Sequence, residues 1–128
     1  DLMTTSTQPM MITVITEYLT EQSQPEENRY AFAYHITIKN QSVRSAKILT
    51  RHWIIVDANQ ERKEVHGEGI VGKQPIILSG DKYEYTSAVV LDTPVGTMEG
   101  SYQLVDDGGV TFNAPIQPFL LSIPHAVH

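Results

Sequence analysis

The stretch Tyr30-Ala31-Phe32-Ala33-Tyr34-His35-Ile36-Thr37-Ile38-Lys39-Asn40 alternates without a break. Tyr30, Phe32, Tyr34, Ile36 and Ile38 fall on one face; Ala31, Ala33, His35, Thr37 and Lys39 fall on the other. Successive side chains of extended backbone point to opposite faces, so a period of two reads as a strand. Residues 29–40 are therefore a half-buried strand with its large residues inward. The same signature recurs on both sides. A β-branched and apolar run from Met11 to Leu19 reads as a first strand, and the polar stretch 21–28 as a loop. Residues 46–57 form another strand, ending in Trp53-Ile54-Ile55-Val56. Asp57-Ala58-Asn59-Gln60 supplies turn chemistry, and the chain returns over residues 62–66.

Later segments follow the same logic. Pro75-Ile76-Ile77-Leu78 stops at the turn Ser79-Gly80-Asp81. Strands are expected over 83–91, 97–105 and 110–123, separated by Asp92-Thr93-Pro94 and Asp106-Asp107-Gly108-Gly109. Pro115 and Pro118 interrupt the last one and imply an edge or a bend, because proline has no N–H to give to a ladder. No capped stretch at helical spacing is present. Seven or so short strands with regular turn signals predict an all-β fold, an immunoglobulin-like β-sandwich of two antiparallel sheets. Trp53, the single tryptophan, is expected in its core. Tyr102 follows a turn and precedes Leu104 by two residues, a spacing that suggests a tyrosine corner.

The 128 residues fit one domain spanning 1–128, with residues 1–10 and 124–128 expected to be flexible termini. Hydrophobic residues make up 41%, which supports a packed core. Nine basic residues against 15 acidic ones give a net charge of −6. That balance argues against nucleic acid and anionic membrane as partners, since Lys and Arg supply that affinity. No apolar run reaches the roughly 18 residues of a membrane span, and no secretory signal is visible, so no membrane insertion is expected. The first residue is Asp rather than Met, which suggests a trimmed chain or incomplete coverage of the start. The absence of cysteine excludes a disulfide scaffold and a thiol nucleophile, and fits a cytoplasmic protein. Asn40-Gln41-Ser42 matches a glycosylation acceptor by chance.

The most pointed chemical signal is Gly67-Glu68-Gly69-Ile70-Val71-Gly72-Lys73-Gln74-Pro75. It contains G-x-G-x-x-G and nearly completes a Walker A pattern, with Gln74 where Ser or Thr would hold magnesium. Both motifs work from a loop that opens a helix. β-branched Ile70 and Val71, and Pro75 just beyond, leave no room for one. The remaining alternatives are a glycine bulge with no ligand, or an anion-binding concavity of backbone N–H groups at Gly67, Gly69 and Gly72 helped by Lys73.

This segment, with Tyr85-Thr86-Ser87 and Leu91 to Tyr102, resembles the ApaG (also called CorD) family of bacterial proteins. Arg51-His52-Trp53-Ile54-Ile55, Phe112 to Ile116 and Phe119-Leu120-Leu121 are similar to it too, so the likeness runs from about Ile12 to Ile123. The resemblance implies an immunoglobulin-like or fibronectin-III-like sandwich with no firmly assigned enzymatic activity. It implies a genetic link to cobalt resistance and magnesium efflux, and an operon near diadenosine-tetraphosphate hydrolase. For the family, nucleotide or pyrophosphate binding has been suggested at the glycines that stand here as Gly67, Gly69 and Gly72. Similar domains in eukaryotic F-box and polymerase-delta-interacting proteins look like protein-interaction modules.

Other constellations carry less. His35, His52, His66, His125 and His128 show no H-x-H or H-E-x-x-H spacing, so they read as ordinary polar residues and no metal site is assigned. Asp106 and Asp107 are adjacent and would face opposite ways on a strand, which disfavours paired acid/base work. No G-x-S-x-G is present. The expectation is a non-enzymatic module with no cofactor, binding an unknown protein partner. The second reading is a phosphorylated ligand (ATP, GTP, pyrophosphate or a dinucleoside polyphosphate) at Gly67, Gly69, Gly72 and Lys73. Direct divalent-metal binding is the third. The edges around 12–19 and 119–123 offer a route to a homodimer by strand pairing.

Overall fold

The computed structural model describes residues 8–124. Eight strands run in chain order: β1 Met10–Tyr18, β2 Tyr30–Asn40, β3 Ala46–Asp57, β4 Arg62–Glu68, β5 Ile76–Ile77, β6 Lys82–Leu91, β7 Val95–Asp106 and β8 Thr111–Ser122. They form two antiparallel sheets. One has the order β1-β2-β6; the other has the order β4-β3-β7-β8, with short β5 pairing the start of β3. Among the described residues the only helical pieces are single 3₁₀ turns at Thr20–Gln22 and Pro25–Glu27, inside the expected loop. The molecule is the β-sandwich that the strand periods imply.

The inward face of β2 is the one read from its alternation: Phe32, Tyr34, Ile36 and Ile38 are buried. Ala31 and Ala33 are buried as well, although they lie on the other face. The cause is the 19–29 loop, which folds back over the start of β2: Ser23 Oγ donates to the Leu19 carbonyl and accepts the Ala31 N–H. Trp53 joins the two sheets. It meets Tyr34 from β2, and Tyr102 and Phe119 from β7 and β8, at edge-on angles with centroids 5.5–6.4 Å apart. Aromatic pairs favour this geometry because a ring's positive edge faces a neighbour's negative face.

Two turns use the same device. Asp57 Oδ1 accepts the N–H groups of Asn59 and Glu61, and Asp106 Oδ1 accepts those of Gly108 and Val110. Each aspartate thus holds its own hairpin. Asp107 turns away to pair with Arg44 at 2.8 Å, which holds its carboxyl below the usual carboxylate range. Asn40 is fully buried and ties two loops together. Its side-chain amide donates to the carbonyls of Arg44 and Ile77, and its oxygen accepts from Ser42.

Three details differ from the sequence reading. Met10, expected in a flexible terminus, opens β1 and is buried, with the Pro9 carbonyl accepting from Gln41 N–H. Tyr102 is not a tyrosine corner: it lies in the middle of β7, and its hydroxyl bonds the hydroxyl of Tyr85 across the sandwich. The strand around it begins at Val95 because the Asp92-Thr93-Pro94 turn closes earlier than expected, Thr93 Oγ1 donating to the Val95 carbonyl. Pro115 and Pro118 do sit in an edge strand, β8, where the missing N–H breaks no ladder on the outer side.

Candidate functional site

The two sheets differ in width. Between the sheets β1 packs against β8, Tyr34 of β2 meets Trp53 of β3, and Tyr85 of β6 meets Tyr102 of β7; β4 lies beyond these contacts, at the edge of its sheet opposite β8. Its exposure shows the result: from Arg62 to His66 every residue is exposed, whichever face it occupies. The inward side chains beside β4 line a cleft of about 250 Å³ between β3–β4 and the free edge of β6, with Arg51, Trp53, Val65, Tyr85, Ser87 and Val89 in its walls. A second hollow of about 210 Å³ continues it past Ile55 and Val89 toward Lys63 and Leu91. Tyr85 lines the floor of the cleft, and its hydroxyl bonds that of Tyr102, which is buried behind it. Burial pushes the Tyr85 hydroxyl up to about 12 and pushes Tyr102 up as well.

The glycine segment closes one end of this cleft. Gly67 lies in β4 opposite Arg51, and a Cβ there would meet the Arg51 guanidinium at 2.5 Å. That guanidinium donates to the carbonyls of Glu68 and Gly69. Gly69 has φ +58, and a Cβ on it would lie 2.0 Å from the Lys73 carbonyl oxygen. Ile70 and Lys73 exchange both backbone hydrogen bonds around Val71 and Gly72, whose φ values are 51 and 79. Two central residues with positive φ define a tight hairpin turn, not a helix start. Gln74, at the Walker-type Ser/Thr position, donates to the Leu49 carbonyl. The N–H groups of Gly69, Ile70 and Lys73 are engaged within the chain. The segment thus presents carbonyls to Arg51 and places Lys73 on an exposed tip.

A second constellation lies on the outer face of the same hairpin. His52 of β3 pairs directly with His66 of β4, and the rings stack at 4.2 Å with planes 9° apart. Glu64, two residues before His66 and so on the same face, puts Oε2 3.3 Å from His52 Nε2 and 3.6 Å from His66 Nε2. His52 and His66, which have no short spacing along the chain, are thus adjacent in space. The hairpin register, not short spacing along the chain, brings them together. Counting outward from Val56 opposite Arg62 pairs His52 with His66, and Glu64-Val65-His66 has the period of one strand face. His52 and Arg62 beside Glu64 hold its carboxyl below the ordinary range. His35 stands apart, with Thr86 and Glu17 as its neighbours. His125 and His128 lie outside the described residues.

Comparison with known proteins identifies the family. The family described as the ApaG domain matches residues 20–106. The chain belongs to the ApaG family. A protein named Protein ApaG from Azotobacter vinelandii is 50% identical over 117 residues, covering 91% of this chain and 93% of its own. The Protein ApaG of Pseudomonas syringae pv. tomato is also 50% identical, with the same coverage. A crystal structure titled as the putative ApaA protein of Bordetella pertussis superposes with a TM-score of 0.88 at 42% identity, covering 91% of this chain and 94% of that one. The ApaG sandwich of this chain carries no helix long and apolar enough to cross a membrane among its described residues.

Proposed function

We propose that this ApaG domain is a non-enzymatic, cytoplasmic binding module that takes an extended segment of a protein partner into the cleft between β4 and β6. One observation carries the reading: the narrower sheet is one strand short, so β6 has a free edge and the inner face of β4 is bare. An added strand would hydrogen-bond to the edge of β6 and lay every second side chain over Val65, Trp53 and Val89. Main-chain pairing gives affinity in this mode and the pockets give choice of sequence. The phosphorylated-ligand reading draws less support, because most of the tip's N–H groups already have partners within the hairpin.

The test is selection from a library of displayed peptides against the wild-type chain and against Ser87→Arg, which fills the cleft. Peptides with an apolar residue at every second position should enrich on the wild type and not on the variant. Equal enrichment on both, or none on either with both folded, rejects the reading.

A further inference from the structure

The outer face of the β3–β4 hairpin bears its own chemistry, separate from the cleft. Trp53 and Val65 point inward from their strands, so His52, Glu64 and His66, offset by one residue, point outward. Their three ligand atoms lie within 4.8 Å of one another. Ligands about 2.0–2.1 Å from a tetrahedral ion sit roughly 3.4 Å apart. The two His–Glu distances, 3.3 and 3.6 Å, already match that separation. Only the two imidazole nitrogens must draw together, from at most 4.8 Å. The three side chains are 30–70% exposed and free to make that small rotation.

We propose that His52, Glu64 and His66 form a site for a divalent transition-metal ion such as zinc, held by two imidazoles and one carboxylate with a fourth position open. Two nitrogens and one oxygen suit zinc, nickel or copper; magnesium and calcium prefer an all-oxygen set. In the metal-free protein His52 Nε2 lies 3.3 Å from Glu64 Oε2. The ion would take the Nε2 lone pair of the neutral tautomer whose single N–H is on Nδ1. Arg62 holds the other Glu64 oxygen at 2.5 Å, orienting the carboxylate and leaving Oε2 toward the histidines. The ion would clip β4, the strand with no cover, to β3.

Calorimetric titration of chelator-washed full chain with zinc chloride tests this, with NMR of the imidazole nitrogens alongside. The expected result is one zinc per chain, perturbed Nε2 signals of His52 and His66, and an unperturbed His35. His52→Ala and Glu64→Gln should each weaken binding about tenfold or more, whereas His125→Ala/His128→Ala should retain it. Millimolar magnesium should not compete. The variants lie on an exposed face, and circular dichroism confirms their fold. Absence of zinc binding to the wild type, or binding undiminished in His52→Ala/His66→Ala, overturns the proposal.

Discussion

The two flanks of this sandwich are built differently. On one, β1 packs against β8, Thr16 Oγ1 donates to the Leu120 carbonyl, and Phe119 packs against Tyr34 and Trp53. On the other, β4 extends beyond β6 and a cleft separates them. Both flanks end in edge strands, which must be protected against indiscriminate pairing. The first is blunted by Pro115 and Pro118 in β8. The second carries no proline in either β4 or β6, and protects itself with the charges of Arg62, Lys63, Glu64 and Glu68. The lesson is that an unequal strand count, not a special loop, creates the recess.

The contrast can be broken most directly through stability. Leu121 of β8 is fully buried, so Leu121→Ala should cost about 2–5 kcal/mol of unfolding free energy, from lost transfer plus a cavity. Val65 of β4 is 39% exposed, and Val65→Ala should cost under about 1 kcal/mol. Urea unfolding compares the two; equal losses would mean that the open flank is packed as tightly as the closed one.

A smaller effect tests how dry the cleft floor is. The folded value of the Tyr85 hydroxyl, about 12, lies above its ordinary value of 10, so the neutral form is favoured by folding. The associated stability is complete below pH 10 and declines as the pH climbs toward 12. Urea midpoints measured from pH 9 to pH 12 should fall over that window, and fall less in Tyr85→Phe. A flat profile would show that the floor is wet.

The smallest expected effect is none. Calorimetric titration with ATP, GTP or pyrophosphate should give no heat in the wild type. Heat that disappears in Lys73→Ala would restore the phosphate reading and make the hairpin tip, rather than the flank, the working surface.

Much of the architecture was legible in the residues. The alternation of β2 fixed its inner face, the prolines placed β8 at an edge, and Trp53 took its core position. The glycines could be read as a turn because Ile70, Val71 and Pro75 forbid a helix. What stayed hidden depends on pairing between distant segments. Nothing in the chain near Tyr102 announces that its hydroxyl meets Tyr85 on the opposite sheet. The convergence of His52, Glu64 and His66 follows from the Asp57–Gln60 turn, because counting outward from that turn gives the register. The bare face of β4 follows from no single turn, because strand order in two sheets is a property of the whole fold.

Trp53 and His52 are consecutive, yet one looks into the recess and the other away from it. The lone indole therefore serves as a built-in optical gauge. Its ultraviolet emission should respond when something fills the recess and stay nearly constant when a cation settles on the neighbouring imidazole, so one unlabelled sample can report the two events apart.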